Sequence, residues 1–341
     1  MQKSIAILLS VFLVSTIAPV VSEAQMGRYP VDRIMKNGKI FDQHNYMQIP
    51  LTASENYLQG AVKSVTFKDI KIAGNGSAVF RVIDDSGYIL YDSSGRLLEQ
   101  KTNKPEGTYS LFCTYKYNGS KYEEWNCKLN GYTTIDSRST FKYKQGRMIE
   151  KDETDVDPYK SAKAIYEYDK KGRQVEEIHY GSDGIITYIE SYVYDHEGNQ
   201  VEFCMRSADG RLLNKRTYLY DDNGNKSEGA TYRSHDSTHA IKYTLKWDDK
   251  NRCIERNDFN KEVAPASKTL YKYDDKDNVT ETLTYKPDGT IDETAWNAAY
   301  EYEFDVAGNI TVFKCFRLQE GKRTLVQIVE STYTYYTPAK M

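Results

Sequence analysis

Few residues in this sequence have spacings that could do chemistry. His235-Asp236-Ser237-Thr238-His239 sets two imidazoles four apart. That spacing grips zinc when both rings share a helical face and a third ligand stands nearby. Asp221-Asp222-Asn223-Gly224-Asn225 is oxygen-rich like a calcium loop, but it lacks the alternation and terminal glutamate that coordination takes. No Gly-x-Ser-x-Gly elbow, P-loop or dinucleotide fingerprint is present. No catalytic residue, metal ligand or cofactor is therefore assigned. The five cysteines are Cys113, Cys127, Cys204, Cys253 and Cys315, and none forms the C-x-x-C pair of a zinc or thioredoxin-like site. Cys113 and Cys127 flank Asn118-Gly119 almost symmetrically. One hairpin would bring them side by side, either as a disulfide or as two small buried hydrophobes. The other three are expected to stay reduced and buried.

The elements that would position these residues are set by an internal repeat. Tyr166-Glu167-Tyr168-Asp169-Lys170-Lys171-Gly172-Arg173 recurs at Tyr192 to Asn199 and at Tyr218 to Asn225. Weaker copies surround Asp248, Asp274 and Asp305. The aspartates step by 26, 26, 27, 26 and 31 residues, the last implying a short insertion. Stepping back by the same period meets Tyr143, Tyr117-Asn118-Gly119 and a full copy at Tyr91 to Arg96. A second ladder of turn dipeptides, Asp183-Gly184, Asp209-Gly210 and Asp288-Gly289, lies half a repeat away. Each unit thus carries two turns and two strands. His235 and His239 fall in the phase of the second turn, where a polar loop is expected.

Turn chemistry is local and readable. The side chains of Asp169, Asp195 and Asp221 can accept backbone N–H bonds inside the turn. Gly172, Gly198 and Gly224 supply φ > 0, as in a type I turn closing on a G1 bulge. Between turns, large and polar residues alternate with period two. Strands of about nine residues, or about 30 Å, follow. Short turns make successive strands antiparallel neighbours. The expected fold is all-β: a repetitive antiparallel meander of about eighteen strands, two per roughly 26-residue repeat, forming a curved or spiralling open sheet. Two columns of rings run across it: Tyr166, Tyr192, Tyr218 and Tyr271, and two residues later Tyr168, Tyr194, Tyr220, Trp247 and Tyr273. Residues two apart share a face. The columns either pack the sheet or form an aromatic binding platform, and packing is the weightier reading because every unit repeats them. Central units should then suffer most from ring removal, since end units have one neighbour. Which residues after each turn share the ring face stays open, because three- and four-residue loops give opposite parity.

The unit Tyr-x-Tyr-Asp-x-x-Gly-Asn/Arg resembles the core of the YD-repeat (Rhs-type) family. The resemblance covers about residues 88–316 and weakens where Asn251 and Asp277 replace glycine. Leu58 to Val65 is similar to the opening strand of small exported members from Bacteroidota-like bacteria. In long members such repeats coil into a β-shell around a C-terminal toxin. Only about 25 residues follow position 316 here, so the resemblance is not expected to bring the toxin role.

Residues 1–24 read as a secretory signal: Lys3, a mostly apolar run from Ile5 to Ile17, and Ser22-Glu23-Ala24 before Gln25. Residues 25–57 form a linker or cap, 58–336 the repeat domain with capping strands at 58–87 and 324–336, and 337–341 a tail. The net charge of -3, with both signs interspersed, leaves no footprint for nucleic acid. Tyrosine is the outlier, 30 against 11 Phe and 3 Trp; it suits pleated surfaces that bury the ring and wet the hydroxyl. The expected function is an exported, periplasmic, cell-surface or secreted, non-catalytic binding or scaffold protein with a glycan or protein partner and no integral membrane insertion. The alternatives are a secreted hydrolase with a site at one end of the array, and an outer-membrane barrel. Glu190, Lys215, Lys246 and Lys272 interrupt both strand faces and weigh against the barrel.

Overall fold

Backbone hydrogen bonding at the D-x-x-G motif decides where the chain reverses. In a computed structural model describing residues 58–336, apart from 75–78, 104–108, 132–134, 155–161, 234–235 and 261, Asp195 N–H donates to Asn199 O at 2.9 Å and Gly198 N–H to Asp195 O at 3.3 Å. The Asp195 carboxylate accepts from the N–H groups of Gly198 and Asn199, each at 2.8 Å. Gly172, Gly198 and Gly224 have φ of 86°, 99° and 77°, where a Cβ would be strained. Where the sequence has lost the glycine, Asn251 and Asp277 take φ of 58° and 66°; their short polar side chains tolerate this region. Register shifts opposite Val193/Tyr194, Leu219/Tyr220, Lys246/Trp247 and Lys272/Tyr273, so one extra residue (Val201, Ser227, Ile254 or Thr280) bulges from the strand that leaves each turn.

Among the described residues, twenty strands lie between the turns. They are β1 (Val62–Gly74), β2 (Val79–Tyr91), β3 (Leu97–Asn103), β4 (Tyr109–Asn118), β5 (Lys121–Gly131), β6 (Ile135–Lys144) and β7 (Arg147–Thr154). There follow β8 (Lys163–Tyr168), β9 (Gln174–Tyr180), β10 (Ile186–Tyr194), β11 (Gln200–Ser207), β12 (Leu212–Tyr220), β13 (Lys226–Arg233) and β14 (Asp236–Trp247). The last are β15 (Cys253–Phe259), β16 (Pro265–Tyr273), β17 (Val279–Tyr285), β18 (Ala298–Phe304), β19 (Ile310–Gln319) and β20 (Lys322–Tyr335). Each pairs antiparallel with the next, giving the expected meander.

The sheet is closed, not open. β1 pairs antiparallel with β20, from Val62↔Tyr335 to Lys71↔Gln327. The expectation of an open, curved or spiralling sheet with capped edges is therefore corrected: the strands meant as caps pair with each other, and closure removes both edges. Because they are full members of the barrel, the strand count also exceeds the roughly eighteen expected from repeat length. The segments read as signal, linker and tail lie outside the described residues, as do Asn75-Gly76 and Asp157-Pro158. Among the described residues no helix is long and apolar enough to cross a membrane.

The two faces differ. Rings and most buried side chains occupy one face, in separate clusters. One centres on Tyr91, Tyr115, Tyr122 and Phe141, another on Tyr243 and Tyr271, a third on Tyr300 and Phe313. The opposite face carries cross-strand ion pairs: Lys246–Glu255 at 2.7 Å, Lys272–Glu281 at 2.6 Å, Lys215–Glu202 at 2.7 Å and Lys163–Glu150 at 2.9 Å. Lys142 also meets Glu150, and Lys116 and Arg138 flank Glu124. Exposed rungs of this kind contribute about 0.2–1 kcal/mol each. The thinnest seam is β17–β18, paired only at Glu281↔Ala299 and Thr282↔Ala298. The expected insertion lies between these strands. Asn297 ties it down, accepting from Thr284 N–H and donating to Asp292 O.

Candidate functional site

The tyrosine columns lie on the buried face, and the hydroxyls of the second column are occupied. In the first column Tyr166, Tyr192, Tyr218 and Tyr271 are 5–8% exposed. The second column sits opposite the bulges, where the register shifts, and bonds across to the neighbouring strand. Tyr194 Oη donates to Gln174 O at 2.8 Å. Tyr168 does the same to Met148 O, Tyr220 to Gln200 O and Tyr273 to Cys253 O, each at 2.7 Å. Trp247 Nε1 replaces the hydroxyl, donating to Lys226 O at 2.8 Å. Phe304 has no such group, and Tyr302 makes the bond instead, to Val279 O. Each bond ties one D-x-x-G turn to the strand leaving the previous one.

Arginine completes the belt. Arg173 pairs with Asp169 at 2.7 Å, donates to Asp195 O at 3.2 Å and lies 4.7 Å over the Tyr194 ring. Arg252 repeats this on Asp248, Asp274 and Tyr273, and Arg96 on Asp92, Gly119 and Tyr117. The Arg173 backbone N–H, followed by its guanidinium, holds the Asp169 carboxyl below the usual carboxylate range despite partial desolvation. Where asparagine replaces arginine, Asn225 Nδ2 reaches Asn251 Oδ1 of the next turn. The turn aspartates and glycines thus organise the barrel end.

One cluster on the ring face has other chemistry. Glu177 and His179 of β9 and Glu190 of β10 are 2%, 4% and 6% exposed. One ligating atom from each lies within 4.8 Å of the others. Antiparallel register sets Glu177 directly opposite Glu190, and His179 opposite Tyr188, whose ring stacks on the imidazole at 4.0 Å. Gln174 Nε2 donates to Glu177 Oε2 at 3.0 Å, and Tyr192 Oη to Glu190 Oε2 at 2.7 Å. His179 Nε2 lies 3.0 Å from Glu177 Oε1, yet it is buried and off the line of a hydrogen bond. Burial raises the Glu190 carboxyl; the Tyr192 hydroxyl opposes this, and the nearby Glu177 charge reinforces it.

Sequence reasoning missed this cluster. Glu177-x-His179 shares a face only in a strand, and Glu190 joins it only through the register. The signal lay in the repeat: one unit later Phe203 stands for Glu177 and Arg216 for Glu190. The histidine pair fares differently. His235 lies outside the described residues, as does the His239 side chain. β14 already begins at Asp236, so the backbone at 239 is strand, not the loop expected. Cys113 and Cys127, cross-strand partners in β4 and β5, are joined as a disulfide. Cys204, Cys253 and Cys315 are buried and outside any disulfide.

No family model and no curated protein matches the chain. Among solved structures, a porin-like protein from Bacteroides uniformis is 13% identical, with a TM-score of 0.35, over 81% of this chain and 98% of that one. The Photorhabdus luminescens Tc holotoxin pore is 10% identical, with a TM-score of 0.34, over 74% of this chain and 16% of that one. A porin-like protein from Bacteroides vulgatus is 11% identical, with a TM-score of 0.21, over 82% and 99%. Likenesses this distant carry no functional argument.

Proposed function

We propose that this chain is an exported, non-catalytic scaffold of the YD-repeat type: a water-bathed β-barrel whose ion-paired face meets a glycan or protein partner. The observation that carries this reading is the occupation of the rings. Hydroxyls that would recognise a ligand are spent on main-chain carbonyls of neighbouring strands, so the columns act as structure, and the charged face is what remains for recognition. The leader-like residues 1–24 support export.

Closure of the sheet favours a second reading, insertion in an outer membrane. Charge on both faces opposes it. The ion-pair rungs cross one face, and Glu177, His179 and Glu190, together with the Arg256–Asp258 pair, lie on the other. A lipid-facing Lys or Arg near the bilayer midplane costs about 2–4 kcal/mol, and among the described residues such charges recur strand after strand on the ion-paired face. Cell fractionation tests the proposal. The chain is expected in the soluble exported fraction, stable without detergent, with binding on a glycan or protein array weakened by Lys246→Glu and Lys272→Glu. Recovery only from outer membranes by detergent overturns it.

A further inference from the structure

We propose that Glu177, His179 and Glu190 form a binding site for one divalent transition-metal ion. The argument begins with the sheet. Like charges directly opposite one another destabilise an antiparallel pair, and burial of both raises the cost. Glu177 and Glu190 are such a pair, on the buried face of β9 and β10. The same positions one unit later hold Phe203 and Arg216, a ring and a cation that the repeat accommodates by stacking. Nothing in the repeat therefore demands two carboxylates here.

The imidazole supplies a second, independent observation. His179 Nε2 is buried without a hydrogen-bond partner, although buried polar atoms are nearly always satisfied. It sits 3.0 Å from Glu177 Oε1 in a direction that forms no hydrogen bond. That relation suits two donor atoms whose lone pairs converge on a third body. Zinc ligands stand about 3.3 Å apart around a tetrahedral ion, so the histidine and Glu177 are already at chelating separation. The wider spacing within the group, up to 4.8 Å, is closed by small rotations of the carboxylates.

The supporting shell is also in place. Metal-binding sites hold their ligands with outer hydrogen bonds. Here Gln174 Nε2 holds one oxygen of Glu177, Tyr192 Oη one oxygen of Glu190, and Tyr188 stacks on the imidazole. One nitrogen and two carboxylates suit Zn2+, Mn2+ or Fe2+; a thiolate-seeking ion or an oxygen-rich calcium shell fits less well. Three protein ligands leave a fourth position for water. A doubly charged ion offsets both carboxylates and gives His179 Nε2 its partner.

Zinc is the probe. The mature chain, stripped with EDTA and desalted, is titrated with ZnCl2 by calorimetry, and retained metal is counted by mass spectrometry. One Zn2+ per chain is expected, with the melting temperature rising as zinc is added. His179→Gln and Glu190→Gln should each weaken binding at least tenfold. His235→Gln/His239→Gln, which removes the pair that sequence spacing offers, should leave it unchanged. Loss of binding in that double variant, unaltered binding in His179→Gln, or no retained zinc overturns the proposal. Should the single variants misfold, zinc-edge X-ray absorption on the native chain decides: one imidazole and oxygen neighbours uphold the site, and two imidazoles or none reject it.

Discussion

Truncating Tyr91 tests whether the barrel is closed in solution. Tyr91 is 1% exposed and packs in a cluster that includes Val62 and Val65 of β1, with Tyr333 of β20 against it. Its carbonyl accepts a bond from Tyr336 Oη at 2.7 Å. A fully buried aromatic costs about 3–5 kcal/mol when cut to alanine. Tyr194 lies in the middle of the array with a half-buried ring, and its truncation should cost about 2–3 kcal/mol on the same scale. Tyr194→Phe, which removes only the bond to Gln174 O, should cost about 0.5–1.5 kcal/mol. At roughly 1–2 °C per kcal/mol for a chain of this size, Tyr91→Ala should lower the melting temperature by about 3–10 °C and Tyr194→Ala by less. Scanning calorimetry with urea melts measures both. An open array makes the opposite prediction, because Tyr91 would then lie in an end unit with one neighbour. A smaller loss for Tyr91→Ala than for Tyr194→Ala would refute closure.

Other perturbations separate the remaining contributions. Gly198 has nothing within 4 Å of an added Cβ, so Gly198→Val should cost only the backbone strain of φ 99°, about 1–3 kcal/mol by urea melt. A Cβ at Gly229 would meet the Tyr243 ring at 2.2 Å, so Gly229→Val should disrupt the local ring packing and shift near-ultraviolet circular dichroism as well as stability. Glu124 is pulled down to about 2 by Asn126, Arg138 and Lys116, and Glu150 to about 2 by Lys142 and Lys163. Both folded pKa values lie below the unfolded value near 4.3, so this stabilisation is full above about pH 5 and fades as pH falls toward about 2. Urea midpoints against pH should show that slope, flattened in Glu124→Gln; a wild-type slope in that variant would reject the assignment. Reducing Cys113–Cys127, separated by 14 residues, should cost up to about 3 kcal/mol, and a melt unchanged by reductant would deny the bridge a stabilising role.

The turns were legible because their chemistry is local: an aspartate, a left-handed residue and the residue after it specify them, as at Asp195, Gly198 and Asn199. The ring columns were legible because a period carries them. Face parity was not, since it depends on the loop length and on where the one extra residue falls, here Val201 opposite Val193 and Tyr194, which the turn residues do not fix. Closure was hidden for a different reason. It joins Val62–Lys71 to Gln327–Tyr335, segments outside the clear repeat and far apart in sequence, whose alternation would serve an edge or an interior strand equally well. The acidic cluster needed both missing facts, the strand face and the register.

The repeat itself explains why closure is the stable end of this sequence. Each unit reaches to its neighbour through a ring hydroxyl, a guanidinium or an asparagine, so any open array leaves one carbonyl unmet at one end and one donor unplaced at the other. Buried groups of that kind cost about 1–3 kcal/mol each when unsatisfied. The last strands supply the missing contacts. Tyr333 Oη reaches Ile310 O as the repeat tyrosines do, and Tyr336 Oη reaches Tyr91 O across the join. Asn309 donates to Gln59 O and accepts from Gln59 N–H, binding the chain before β1 to the last D-x-x-G turn. Asn309 Nδ2 also meets Tyr335 Oη at 2.7 Å. β1 and β20 lack the motif yet complete its hydrogen bonds, which is how a repeat of finite length can end without an edge.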